Sequence, residues 1–73
     1  MKTTYDLTPK YNPKTKTYTF IIKCPHCGEP NEEPEPIMFL ICEKCNRISR
    51  LHDKLIMLMN QLKDEELRLK LEK

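Results

Sequence analysis

The chain has 73 residues, with 13 Lys and Arg against 11 Asp and Glu, one Gly, no Trp and 38% apolar side chains. So short a chain makes one domain with a thin core, which needs a staple to hold it. A formal charge of +2 is too small for strong non-specific attraction to nucleic acid, and no stretch approaches the ~18 apolar residues of a membrane span.

Residues 1–16 are polar and threonine-rich, and are expected to be an N-terminal extension or an edge strand through Tyr5 and Leu7. Asn12-Pro13-Lys14-Thr15 predicts a turn. Met1–Asp6 lacks the apolar run of a secretory leader, so the expected compartment is the cytoplasm. Thr17–Lys23 is a strand by composition, with Tyr18, Phe20 and Ile22 on one face and Thr17, Thr19 and Ile21 on the other.

That strand delivers the chain to Cys24-Pro25-His26-Cys27-Gly28, and Cys42-Glu43-Lys44-Cys45-Asn46 repeats the step, with fourteen residues between Cys27 and Cys42. These are the only four cysteines. Two Cys-x-x-Cys turns from separate parts of the chain suit one tetrahedral site of four thiolates, and zinc is the usual occupant. Pro25 presets φ in the first turn, while Gly28 and Asn46 tolerate the left-handed conformation that turns the chain away. With every ligand supplied by protein, the site is structural and holds one Zn2+. Two disulfides of a secreted mini-protein are the rival use of four cysteines. An iron centre is a second rival. A thiol–disulfide active site is a third, disfavoured because Gly28-Glu29-Pro30 prevents a helix from starting there. His26 and His52 are expected to be non-ligands.

Between the pairs, Glu29–Pro36 is an acidic, proline-interrupted connection, expected to be a solvated loop or an acidic docking surface. Ile37–Ile41 predicts a strand apolar on both faces, which requires cover on both. Arg47–Arg50 predicts a short third strand. From about Asp53 the composition is helical, with Asp53 or Ser49 as N-cap and a second helix start available at Asp64.

The four cysteines and their turns resemble the zinc-ribbon (rubredoxin-like) family over about residues 17–50. The resemblance implies a small β-module that docks on nucleic acid or on the machinery that handles it. The expected architecture is a small zinc-stabilised α+β fold: an extension over 1–16, an antiparallel zinc ribbon over 17–50 and a C-terminal amphipathic α-helix over 51–73.

Ile48, Leu51, Leu55, Leu58 and Leu62 recur at heptad spacing, and Ile56 and Met59 widen the stripe. This predicts a coiled-coil surface, first for a homodimer and otherwise for a protein partner. A basic edge of Lys14, Lys16, Lys23, Lys44, Arg47 and Arg50, with Tyr18 as a stacking ring, is the candidate nucleic-acid surface. Four thiolates and one divalent cation bring the formal +2 near zero, which weighs against it. No catalytic constellation, small-molecule substrate or membrane role is expected. The functional expectation is a non-catalytic zinc module that regulates transcription by docking on its machinery. The alternatives are a nucleic-acid-binding ribbon and a small viral or mobile-element inhibitor of a host enzyme.

Overall fold

The computed structural model describes residues 2–71. In chain order the elements are β1 (Thr3–Thr4), β2 (Leu7–Asn12), β3 (Thr17–Lys23), β4 (Pro30–Glu33), β5 (Phe39–Ile41), β6 (Ile48–Leu51) and α1 (Asp53–Leu71). They form a small α+β structure of two three-stranded sheets, ordered β2-β3-β4 and β1-β6-β5.

The first sheet is built on β3. Its β-branched and aromatic residues pair antiparallel with β2, from Leu7↔Ile22 to Asn12↔Thr17, and with β4, from Phe20↔Glu33 to Lys23↔Pro30. The β2–β3 turn falls at the expected place. The Asn12 Oδ1 accepts the Lys14 N–H at 3.0 Å, and Lys16 takes φ 55°. β4 was expected to be loop. Pro30 costs the ladder nothing as the first residue of an edge strand, so half of the acidic segment is strand.

The second sheet pairs β5 with β6 antiparallel, and β1 with β6 parallel at Thr3↔Arg50 and Thr4↔Leu51. β1 also joins the sheets, because the Thr4 hydroxyl donates to the Lys23 carbonyl at 2.9 Å. The expected strand over 37–41 is shortened to three residues. Its alternation is clean: Leu40 is fully buried, while Phe39 and Ile41 stay exposed.

α1 runs unbroken through Asp64. Neither Ser49 nor Asp53 caps it. His52 does: its carbonyl accepts from Leu55 and Ile56 at 2.9 and 3.1 Å, and its Nδ1 accepts the Lys54 N–H at 3.2 Å. Ser49 lies buried within β6, its hydroxyl without a hydrogen-bond partner. Phe20, Ile22, Leu40, Leu51 and Met59 form the core, drawing on both sheets and the helix, with Leu55, Ile56 and Leu62 packed against it.

The heptad reading is therefore corrected. Ile48 and Leu51 belong to a strand, where period two sends Ile48 outward and Leu51 into the core. Leu51 and Met59 have no exposed surface to offer a partner, and Leu58 is 36% exposed. One helix face that read as a seam is spent on the chain's own core.

The helix is also anchored by charge. The Glu66 carboxylate, 5% exposed, receives the Lys63 ammonium at 2.8 Å and the Lys70 ammonium at 3.4 Å. Lys63 also donates to the Tyr18 carbonyl of β3 at 3.1 Å and lies 5.9 Å from the Phe20 ring centroid. Burial disfavours the Glu66 carboxylate, but the two lysines outweigh it and hold its pKa below the usual value. A depressed folded-state pKa stabilises above the unfolded pKa and is lost as pH falls through the folded one. Glu66→Gln is expected to cost about 3 kcal/mol at neutral pH by leaving Lys63 under-paired. The difference from wild type should shrink in acid below about pH 4. Denaturant titrations of both proteins across pH check this, and a pH-independent difference would contradict the ion-pair account.

Candidate metal centre

Each cysteine pair sits where a hairpin turns. The first closes β3 onto β4, with the Cys24 N–H donating to the Glu29 carbonyl at 3.0 Å and the Gly28 N–H to the Cys24 carbonyl at 2.8 Å. The second closes β5 onto β6 in the same way, from Cys42 to Arg47 at 3.2 Å and from Asn46 to Cys42 at 2.8 Å. Gly28 and Asn46 occupy matching places with φ of 78° and 58°, the left-handed conformation their positions require.

The two turns bring all four sulfurs within 4.8 Å of one another. Cys24 and Cys45 are 3.6 Å apart and Cys27 and Cys42 3.5 Å, with no disulfide between them. A tetrahedral ion with metal–sulfur bonds of ~2.3 Å needs sulfur–sulfur edges of ~3.8 Å, so the cluster fits one metal ion. The first cysteine of each pair is buried, while Cys45 is half-buried and Cys27 exposed.

Backbone N–H groups point at these sulfurs. Burial opposes ionisation of Cys24, but the N–H groups of Cys27 and His26, the latter at 3.4 Å, outweigh it and lower its pKa. At Cys42 the Cys45 N–H dominates over burial and, with the Lys44 N–H, holds the thiol at about 6. Cys27 receives the Glu29 N–H, yet loss of water and the neighbouring sulfurs push it up to about 12. Cys45 is also raised, since burial and the sulfurs of Cys24 and Cys42 overcome the Arg47 N–H. Four clustered thiols cannot all ionise without a cation, so one cysteine per turn takes the negative charge first.

Asn31 was not singled out by the sequence, because it lies in the run of Glu and Pro expected to be solvated loop. It is 8% exposed. Its amide donates to the Glu29 carbonyl at 3.0 Å and its Oδ1 accepts the Glu43 N–H at 3.3 Å. One side chain thus ties the first cysteine turn to the second and also favours the Cys42 thiolate. An uncharged amide in a run of carboxylates was the available signal.

Neither histidine joins the cluster. Burial, then Arg47 and Lys2, lower the pKa of His26. The expected basic edge is divided, with Lys14 and Lys16 far from the cysteine turns and Lys23, Lys44 and Arg47 beside them. Lys14 and Lys16 lie in the β2–β3 turn, at the end of β3 away from Cys24, about 20 Å along the strand. Lys23 lies next to Cys24, Arg47 follows the second turn, Lys44 faces Glu29 at 3.5 Å and Arg50 bonds Asp53 at 3.0 Å. Tyr18 packs against Tyr11 with ring centroids 4.9 Å apart. Beside the cysteines lies an acidic groove of about 440 Å3 containing Glu29, Glu32, Glu33 and Glu43. Among the described residues no helix is long and apolar enough to cross a membrane.

No protein-family model, curated protein or solved structure matches the chain. The feature on which the expected zinc-ribbon resemblance rested is present as a pair of cysteine turns building one four-sulfur cluster, while the strands of residues 17–50 fall in two separate sheets.

Metal removal by excess chelator is expected to unfold the domain, because metal binding in small structural sites carries roughly 10–16 kcal/mol of apparent free energy. Circular dichroism reads the loss of structure, and an unchanged spectrum would overturn the stapling role. Asn31→Ala should keep the metal stoichiometry but weaken affinity by about 10-fold, the lower end for groups that orient ligands. Competition with a chromophoric chelator measures it, and wild-type affinity would remove Asn31 from the site.

Proposed function

We propose that the chain is a non-catalytic, zinc-stabilised interaction module that docks on a protein partner through the outward side of its helix. The observation that carries this is the closed donor set. Four cysteine sulfurs lie within 4.8 Å of one another, as many donors as a tetrahedral ion takes, so an ion they hold would have no position left for water or substrate, and borderline-soft zinc suits four thiolates. The module's work therefore lies on its surface.

Two features favour a protein partner over nucleic acid. Met57, Leu67 and Leu71 are 61, 60 and 81% exposed and fall within about 80° of one another around the helix. The metal centre, in contrast, is flanked by the carboxylates of the acidic groove, which repel phosphate. The resemblance of the cysteine turns to zinc ribbons directs the search to the transcription machinery, where the module would act as a small regulator.

The test is affinity capture with the zinc-loaded protein from its native host, alongside Met57→Glu/Leu67→Glu. The wild type should retain a polymerase subunit or transcription factor that the variant loses by more than about 10-fold, since hot-spot losses at a docking helix exceed ~1.4 kcal/mol. Equal retention by both would exclude the helix as the docking surface. Salt-sensitive retention of duplex DNA with no protein partner would instead support nucleic-acid binding.

A further inference from the structure

The free edge of β5 has a geometry that matches itself. The β5–β6 register pairs Phe39↔Arg50, Leu40↔Ser49 and Ile41↔Ile48. Leu51 donates to the Met38 carbonyl at 2.9 Å and Cys42 to the Arg47 carbonyl at 3.2 Å. In an antiparallel ladder hydrogen-bonded pairs alternate, so Met38, Leu40 and Cys42 aim their backbone groups at β6. Phe39 and Ile41 aim theirs the other way, where β5 ends the sheet. The side chains on that stretch are apolar and uncovered: Met38 is 56%, Phe39 46%, Ile41 62% and neighbouring Ile48 50% exposed.

We propose that a second copy of this chain pairs with β5 along this edge, antiparallel, about a two-fold axis through Leu40. That register sets Phe39 of each copy opposite Ile41 of the other. It brings together the two residues whose N–H and C=O groups are free, which makes four backbone hydrogen bonds. Phe opposite Ile is a favourable aromatic–aliphatic cross-strand pair, repeated by symmetry. The result is one six-stranded sheet, β1-β6-β5 continued into its symmetry copy.

Charge agrees with this occupant. Phe39, Leu40 and Ile41 carry none of the charges or prolines that block pairing on exposed edges. The nearest cation on that face, Arg50, stands a strand away on β6 and already holds Asp53. The two copies therefore set no like charges opposite one another at the new pairs. Pairing consumes the edge in both copies, so it closes at two chains and does not propagate. Three residues form a small contact, far below the ~800 Å2 per partner of a standard-size complex, so the dimer is weak and concentration-dependent. This surface is separate from the helix side assigned to the protein partner, and neither assignment depends on the other.

Sedimentation equilibrium of the zinc-loaded protein tests the dimer from about 10 µM to about 1 mM, the range in which a small interface saturates. The expected result is a rise from one copy toward two, with amide hydrogen exchange at Phe39 and Ile41 slowing at least about 3-fold at the high end. Phe39→Lys should abolish both effects at unchanged zinc content, and Met57→Glu/Leu67→Glu should leave them intact. A mass that stays at one copy throughout overturns the proposal. So does a dimer that forms without protecting those two amides, or one that the helix variant removes and Phe39→Lys does not. The amide measurement uses the wild-type protein, so it stands even if a variant misfolds.

Discussion

Four sulfurs from two hairpins meet within a few ångströms, and most of the rest of the structure follows from that convergence. Each sheet alone is three short strands, and a chain this small buries too little surface to be stable without a staple. The first cysteine pair ends a hairpin of one sheet (β3–β4) and the second a hairpin of the other (β5–β6), so an ion held by all four would fasten sheet to sheet. The core of Phe20, Ile22, Leu40, Leu51 and Met59 forms in the angle this creates. Asn31 and β1 reinforce the joint, one between the cysteine turns and the other between Lys23 and β6.

The helix illustrates how a thin core divides its resources. One side supplies Met59 to the interior, and Glu66 sinks against β3 under two lysines. Such an ion pair costs desolvation that only full pairing repays. The Lys63 ammonium repays it by reaching the Tyr18 carbonyl and the Phe20 face as well. Met57, Leu67 and Leu71 are left exposed on the remaining surface of the helix. The structure thus combines a four-sulfur cluster with exposed apolar side chains on the helix and on β5.

Much of this was legible in the residues. The clustering of the four cysteines followed from spacing, because a Cys-x-x-Cys turn is local and its Gly28 and Asn46 mark the left-handed exit. β3 followed from its β-branched and aromatic composition, and the helix from a long run of good helix formers after Asp53. The heptad count failed where it crossed from β6 into α1. Leucine spacing carries no record of where period two gives way to period 3.6. The cap failed for a similar reason: Asp53 is the better N-cap by type, but the Thr4 carbonyl receives the His52 N–H and fixes the chain's turn one residue earlier.

What the sequence by itself determined is the local chemistry: a four-thiol site, the strand that leads to it, the turns around it and a helix after it. Each rests on neighbours within a few positions, where backbone preference and side-chain type decide the outcome. Only the tertiary structure decided which apolar residues are core and which are surface. Ile48 and Leu51 are alike on paper, yet one points to water and the other is sealed. It also decided that Asn31, amid carboxylates, bridges the two halves of the site, and that β5 is left at an edge with Phe39 and Ile41 facing out. These depend on pairing between segments distant in the chain, which no local pattern encodes.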